Sequence, residues 1–295
     1  MNDTMHKIEN RTFGTELELE GITRRNAAEA IQSVVGGTVH YTGGGYDTWT
    51  TIAADGREWK AMHDGSLRDP HAEVVTPILT VADLDTLQEV VRALRHAGAR
   101  ATSRCGAHVH VGAADLDARQ LANLVKIFYR QERLLYKALG VLDARLSYYT
   151  RATDRDFVDR IEHGKIKTMR DLNEAWFGTY TPCPRHYDSH RYRALNLNNI
   201  WMAKRTVEFR LFNGTAHAGE VKTNILLSLC LVNFAKEAKA ASACRQRPFD
   251  ESTAAYDTRC FLLRLGMIGD AFKTARFHLR KRLGGSTAWK GERRD

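Results

Sequence analysis

Cys105-Gly-Ala-His-Val-His-Val-Gly112 is the stretch whose reading decides the fold. Residues two apart on an extended strand share a face, so His108 and His110 point one way and Val109 and Val111 the other. The valines ask for a core behind the strand, and the two imidazoles are left facing one space in front of it. Two histidines on a solvated strand face would be the ordinary outcome of such a pattern. Three other stretches weigh against that outcome, because each repeats the arrangement with other charged groups.

The first is Phe13-Gly-Thr-Glu-Leu-Glu-Leu-Glu20. Period-two alternation puts Phe13, Leu17 and Leu19 on one face and Glu16, Glu18 and Glu20 on the other. Three adjacent carboxylates repel one another unless cations sit among them. The second runs from the turn Asp64-Gly-Ser-Leu67 into Ala72-Glu-Val-Val-Thr-Pro77, which carries Glu73 amid valines. The third, Arg205-Thr-Val-Glu-Phe-Arg-Leu-Phe212, sets Glu208 and Arg210 opposite Val207, Phe209 and Leu211. An ordinary cross-strand ion pair would account for that one alone. Four apolar-backed strands, each offering charge to one side, are poorly explained as independent accidents.

In this order, Glu-x-Glu, Asp-Gly-Ser with a following Glu, Gly-x-His-Val-His, Arg191-Tyr-Arg-Ala-Leu-Asn196 and Glu-Phe-Arg resemble the putative amidoligase family. That family belongs to the carboxylate–amine ligases with the fold of glutamine synthetase and glutamate–cysteine ligase. The resemblance covers roughly residues 11 to 240, with Gly-Ala-His-Val-His the most distinctive motif. It implies a curved, largely antiparallel sheet with the site on its concave face and helices packed behind. By the same resemblance Glu16, Glu18, Glu73, His108 and Glu208 ligate the metals and His110 faces the ATP phosphates. Arg210 holds an anionic substrate group or the transferring phosphoryl. In one respect the chain departs from glutamine synthetase, which supplies two glutamates from the middle region where here only Glu73 stands. Asp64 or a water is left to complete that site.

Composition bounds the rest. The chain of 295 residues is 43% hydrophobic, ample for a packed core, and shows no internal repeat or low-complexity tract. Its polar N-terminus lacks the apolar run of a signal peptide. The longest near-apolar run, Ile225 to Ala235, is interrupted by Ser228 and Asn233 and is too short to span a bilayer. Five cysteines, an odd number without a Cys-x-x-Cys pair, point to reduced thiols and a cytoplasmic location. Cys105 beside the histidines reads as a small buried residue rather than a third soft ligand. Of the net charge of +9, +7 falls in residues 236–295, which hold 14 Lys or Arg against 7 Asp or Glu. A solvated helical face explains that surplus better than nucleic-acid binding, since no binding motif is interleaved with it.

Along the chain, helices are expected over Thr23–Val35, Thr80–Ala97, Asp117–Leu139, Asp154–His163 and Thr168–Phe177, with two more at about 218–241 and 258–282. Thr80 with Asp83 and Thr168 with Asp171 have the spacing of capping boxes. Arg130, Glu132 and Arg133 read as surface pairs. Thr38–Thr42 reads as a strand, Gly43-Gly44-Gly45 as a flexible turn lacking the ending of a phosphate-binding loop, and Thr48–Ala54 with Arg57–His63 as a hairpin about Asp55-Gly56. Arg191–Ile200 and Arg205–Phe212 read as adjacent strands, and the loop Tyr180–His190 as a cover for the site. Strands clustered between helices without βαβ alternation predict an α+β fold with a largely antiparallel sheet. Residues 11–240 are expected to form the catalytic domain, and 241–295 a basic helical extension packed on it, ending in a polar tail.

Several carboxylates with one imidazole, converging from separate strands, suit Mg2+ or Mn2+ better than zinc, which favours more His or Cys. The expected activity is ATP-dependent amide formation between a carboxylate and an amine through an acyl phosphate. Arg193 and Arg210 project from the expected adjacent strands as catalytic cations, and Arg191 cannot be separated from Arg193 by alternation. Ser66 and Asn196 are expected as polar orienters that bind the nucleotide together with His110. Carboxylate and amine substrates are the expected partners, with no membrane or nucleic acid, and a homo-oligomer stays open. Two alternatives compete, the first using similar metals and arginines and the second treating the charged faces as structural. One is a phosphotransferase of the guanidino-kinase type; the other is a non-catalytic protein binding an acidic peptide or nucleic acid.

Overall fold

A computed structural model describes residues 3–185, 187–241 and 245–290. A short helix α1 (Asp3–Ile8) leads into β1 (Phe13–Glu20), followed by α2 (Arg24–Val35), β2 (Thr38–Gly43), β3 (Thr48–Ile52), β4 (Glu58–Met62) and β5 (His71–Val75). Next come α3 (Leu84–His96), β6 (Gly106–Gly112), α4 (Ala118–Leu139), α5 (Asp143–Ser147), α6 (Arg155–His163) and α7 (Met169–Phe177). The chain then runs through β7 (Leu195–Asn196), β8 (Thr206–Asn213), α8 (Ala218–Glu237), α9 (Ala254–Arg264) and α10 (Lys273–His278). The caps lie where the polar residues of the sequence put them. Thr23 accepts from the Asn26 amide at α2, and Asp117 with Gln120 and Thr168 with Asp171 close reciprocal boxes at α4 and α7.

The strands form one open antiparallel sheet in the order β2-β3-β4-β5-β1-β6-β8-β7. The fold is α+β, as the clustering of strands predicts. One face of the sheet carries Phe13, Leu17, Leu19, Val109, Val111, Val207 and Phe209, all buried in a single core with residues of α3, α4 and α8. Phe128 of α4 meets Phe209 edge-on with ring centroids 6.3 Å apart. Burying such a ring contributes about 2–3 kcal/mol. Helix α8 is apolar on all sides and lies among α3, α4, α10 and β6, so the Ile225–Ala235 run is core. Among the described residues no helix is long and apolar enough to cross a membrane.

Four expectations change. The strand expected over Arg191–Ile200 shrinks to Leu195–Asn196, between tight turns at Ser189–Arg191 and Asn198–Trp201. Asn196 is the reason: its Oδ1 accepts the Asn198 amide at 2.9 Å, a local bond that competes with a continuing strand. The helix expected over 258–282 breaks into α9 and α10, because Gly266 and Gly269 take φ of 72° and 81°. Both halves pack into the common core through Phe261, Leu262, Phe272 and Leu279. Glu132 is no surface partner but fully buried, accepting from Tyr136 Oη, the Thr153 amide and hydroxyl, and Gln246 Nε2 at 2.8–2.9 Å. Lastly, a bulge between Ala107 and Val109 sets two residues of β8 against one of β6, so that Phe212 as well as Leu211 reaches the core. Of the five cysteines, Cys244 lies outside the described residues and the other four are free thiols. Cys105 is buried, its Sγ 3.4 Å from the Thr102 amide, which makes it a turn-packing residue.

Candidate functional site

Antiparallel register brings the charged positions together on the face away from the helices. β1 lies between β5 and β6, with Glu18 directly across from Glu73 and Glu16 across from His108. On the far side of β6, His110 stands across from Glu208. All five metal positions expected from the sequence therefore share one face, as does Arg210.

Glu16 is held between both imidazoles. His108 Nδ1 lies 2.9 Å from its Oε2, and His110 Nε2 3.0 Å from its Oε1. The latter contact is turned so that the buried Nε2 makes no hydrogen bond. Glu208 is fixed at both oxygens: Arg210 Nη1 donates to Oε1 and Asn196 Nδ2 to Oε2 at 2.7 Å. Glu18 accepts from the Gly106 amide and lies 3.7 Å from His108 Nε2. Asp64 accepts from both the amide and hydroxyl of Ser66, which holds it at the tip of the Asp-Gly-Ser turn.

Electrostatics divides the carboxyls into two kinds. Burial alone would push the Glu16 carboxyl up, but the charge of His110 and the bond from His108 hold it well below the usual range. Glu208 is likewise buried, yet Arg210, His110 and His108 bring it down to about 2. His110 answers in kind. Burial disfavours its cation, but Glu16 and Glu208 raise its pKa above the ordinary imidazole value. At Glu73 burial, followed by the charges of Glu16, Asp64 and Glu18, outweighs the charge of Arg210 and pushes the carboxyl up to about 9.

Two sets of donor atoms, each with members within 4.8 Å of one another, emerge: Glu16, His110 and Glu208, and Glu18, Asp64 and Glu73. Carboxylate-rich sets with at most one imidazole fit hard divalent cations, and so does a carboxyl whose own pKa shows an uncompensated surplus of negative charge. The sequence reading made His108 the ligand and pointed His110 at phosphates. Here His110 falls in the first set and His108 lies between the two, 3.7 Å from Glu18 and 3.8 Å from Glu208. Asp64, from the Asp-Gly-Ser turn, brings a carboxylate oxygen within 4.8 Å of those of Glu18 and Glu73.

Glu16 and His108, with all of the second set, line a cleft of about 210 Å³. Its remaining walls are cationic and aromatic: Arg104, Arg145, Arg191 and Arg210, with Tyr149, Tyr187 and Tyr192. Ser66 also lines it. Arg193 does not. Its guanidinium donates to Asp154 at 2.5 Å and to the Ala152 carbonyl at 2.9 Å, so the structure separates it from Arg191 and brings only Arg191 to the site. Asn196 is buried behind Glu208, where it orients that carboxylate. Only the C-terminal end of the expected covering loop reaches the cleft. There Tyr187 Oη bonds Tyr46 Oη at 2.8 Å, whereas Thr181 is tied back to Asn173 of α7. His186 of that loop lies outside the described residues.

On the other side of Glu16 and His110 a second, more apolar cleft of about 330 Å³ opens. Phe13, Val75, Pro77, Ile78 and Ala113 line it, with Lys204 and Arg205 at its edge. Local patterning gave no signal for Arg145, Tyr149 or this second cleft. They depend on how loops fold over the sheet, and only the bare Gly106 beside Arg145 hinted at a close approach.

A family model described as "Putative amidoligase enzyme" matches residues 9–232, and the chain belongs to that family. Among solved structures, a bifunctional glutathione synthetase from Pasteurella multocida is similar at 13% identity and a TM-score of 0.46. That match takes in 94% of this chain and 48% of the synthetase, so the chain spans about half of that protein's length. No curated protein matches the sequence.

Proposed function

We propose that this amidoligase-family chain is an ATP-dependent carboxylate–amine ligase, built on a sheet of the glutamine synthetase kind, that forms an amide through an acyl phosphate. The observation that carries the reading is the row of two carboxylate sets running between an apolar cleft and a cationic one. A nucleotide's base suits the apolar side, and Lys204 and Arg205 at its edge suit phosphates. The acid and the amine would then enter from the cationic side.

Glu16, His110 and Glu208 would hold one Mg2+ or Mn2+, and Glu18, Asp64 and Glu73 the other. When bound, ATP and the two cations supply the phosphoryl that makes a poor electrophile reactive and the charge that screens its oxygens. The chain's own residues do the rest. Arg210 and Asn196 pin Glu208 at separate oxygens, so the carboxylate meets a cation already oriented. Arg210 Nε makes no hydrogen bond and Arg210 lines the cleft, so donors remain for negative charge developing on the reacting carboxylate. Tyr187, held by Tyr46, narrows the mouth against water, which would otherwise hydrolyse the activated acid. We take residues 11–240 as the catalytic unit and 241–295 as an extension packed on it. Part of the basic surplus of the C-terminal region is spent internally, Lys281 and Arg282 both meeting Glu220 of α8. That weakens the nucleic-acid alternative.

The test is a mass-spectrometric screen of acid and amine pools with Mg-ATP. ADP and phosphate release that requires both an acid and an amine, with a product lighter by one water than their sum, is the expected result. A phosphorylated product without amide would establish the phosphotransferase instead, and absence of ATP binding would leave a binding protein.

A further inference from the structure

Arg145 is the cation that the proposed chemistry leaves without a task. It sits in α5 with 3% of its surface exposed and forms part of the cationic cleft. Its Nη2 donates to the Arg210 carbonyl at 3.2 Å and its Nε makes no hydrogen bond. Among the described residues no carboxylate comes within 4.0 Å of its guanidinium. The neighbouring Arg210 is of like charge and already engaged with Glu208. A cation taken out of water beside another cation is costly unless an anion completes the arrangement.

A second observation concerns Gly106. Its φ is not in the left-handed region, so backbone conformation does not demand glycine there. A Cβ at Gly106 would lie 2.4 Å from both Nη1 and Nη2 of Arg145 and 2.7 Å from Cζ. The bare backbone is thus the bed on which this guanidinium rests. Along β6, Gly106 is two residues from His108 and four from His110, about 7 and 14 Å at strand spacing. Arg145 therefore marks the end of the donor row farthest from the apolar cleft, beside Glu18, which accepts the Gly106 amide. A carboxylate reacting amid the donor sets cannot also occupy that end.

We propose that Arg145 binds a second carboxylate of the acid substrate, so that the acid is a dicarboxylate, with or without an amino group, rather than a monoacid. The assignment of the reacting carboxylate rests on the ligase reading; the anion site itself does not. A guanidinium offers paired donors that match a carboxylate's two oxygens.

Calorimetry on the full chain, saturated with Mg2+ and a non-hydrolysable ATP analogue, tests this with succinate, glutarate and adipate against monoacids of equal length and against inorganic phosphate. At least one dicarboxylate should bind about tenfold or more tighter than its monoacid, as expected for a gained charge-assisted contact. R145Q should abolish that preference and leave monoacid binding unchanged. G106A keeps the amide and the charge and only displaces the guanidinium, so it should weaken the preference even if R145Q fails to fold. A preference that survives both substitutions, equal binding of every diacid and monoacid, or an Arg145-dependent site that takes phosphate but no diacid would overturn the proposal. Arg145-dependent diacid binding without ADP formation from any acid–amine pair would uphold it and sink the ligase reading. Amide formation from monoacids as fast as from diacids, unaffected in R145Q, would do the reverse.

Discussion

At the scale of single residues, the sharpest consequences lie in the buried pair on β8. Glu208 and Arg210 are 1% and 5% exposed, so Arg210→Ala would leave a desolvated carboxylate with only neutral Asn196 and Asn199 and the histidines among the described residues. Breaking a buried pair costs about 3–5 kcal/mol, far above the ~1 kcal/mol of an exposed one, and denaturant melts in EDTA should read that loss. In conditions where the variant stays folded, turnover should fall by about two to four powers of ten, with poor rescue by Lys. Glu208→Gln should instead raise the Mg2+ concentration needed for activity, a signature that Arg210→Ala does not share. Glu73 predicts a pH effect. Its carboxyl titrates near 4.5 when unfolded and about 9 when folded, so the metal-free fold binds the proton more tightly between those values. Stability from this group is complete below pH 4.5 and is lost as pH rises toward 9. Melting temperatures in EDTA should therefore decline across that window, less so in Glu73→Gln, and saturating Mg2+ should remove the decline by taking the proton's place. These residues were legible because alternation on β5 and β8 gives each a face. Arg193 was not, because its fate was decided by Asp154, the cap of a helix 39 positions away in sequence.

At the scale of elements, patterning found what is periodic and missed what is held by loops. The Phe13–Glu20, Gly106–Gly112 and Thr206–Asn213 strands follow from strict alternation, and α4 from its box at Asp117 and Gln120. β7 escaped because the Asn196 side chain satisfies its own turn, and α5 because five residues carry no period. The core behind the site rests on β8 against α4. Phe209→Ala should cost about 3–5 kcal/mol in denaturant melts, the usual loss for a truncated core ring. The mouth rests on much less. Tyr46 and Tyr187 are half exposed or more and join by one hydroxyl bond across it. Tyr46→Ala with Tyr187→Ala should raise ATP hydrolysis relative to amide formed, with little change in melting temperature. An unchanged ratio would remove this pair from the water barrier.

At the scale of the molecule, a sheet with helices on one face leaves the other free for charge, and register alone carries residues from four parts of the chain into one row. The order of motifs made that row legible from the sequence. The partition of its members between two sets was not, because it depends on cross-strand register, which sets Glu18 against Glu73 and His110 against Glu208 and which alternation within one strand does not fix. The central claim is that these sets are cation sites. Anomalous diffraction from crystals grown with Mn2+ and a non-hydrolysable ATP analogue tests it most directly. Two peaks are expected, one within about 2.0–2.3 Å of donor atoms from Glu16, His110 and Glu208, the other equally close to Glu18, Asp64 and Glu73. Saturated nucleotide with no manganese at either set, or manganese bound only elsewhere on the chain, would contradict the account.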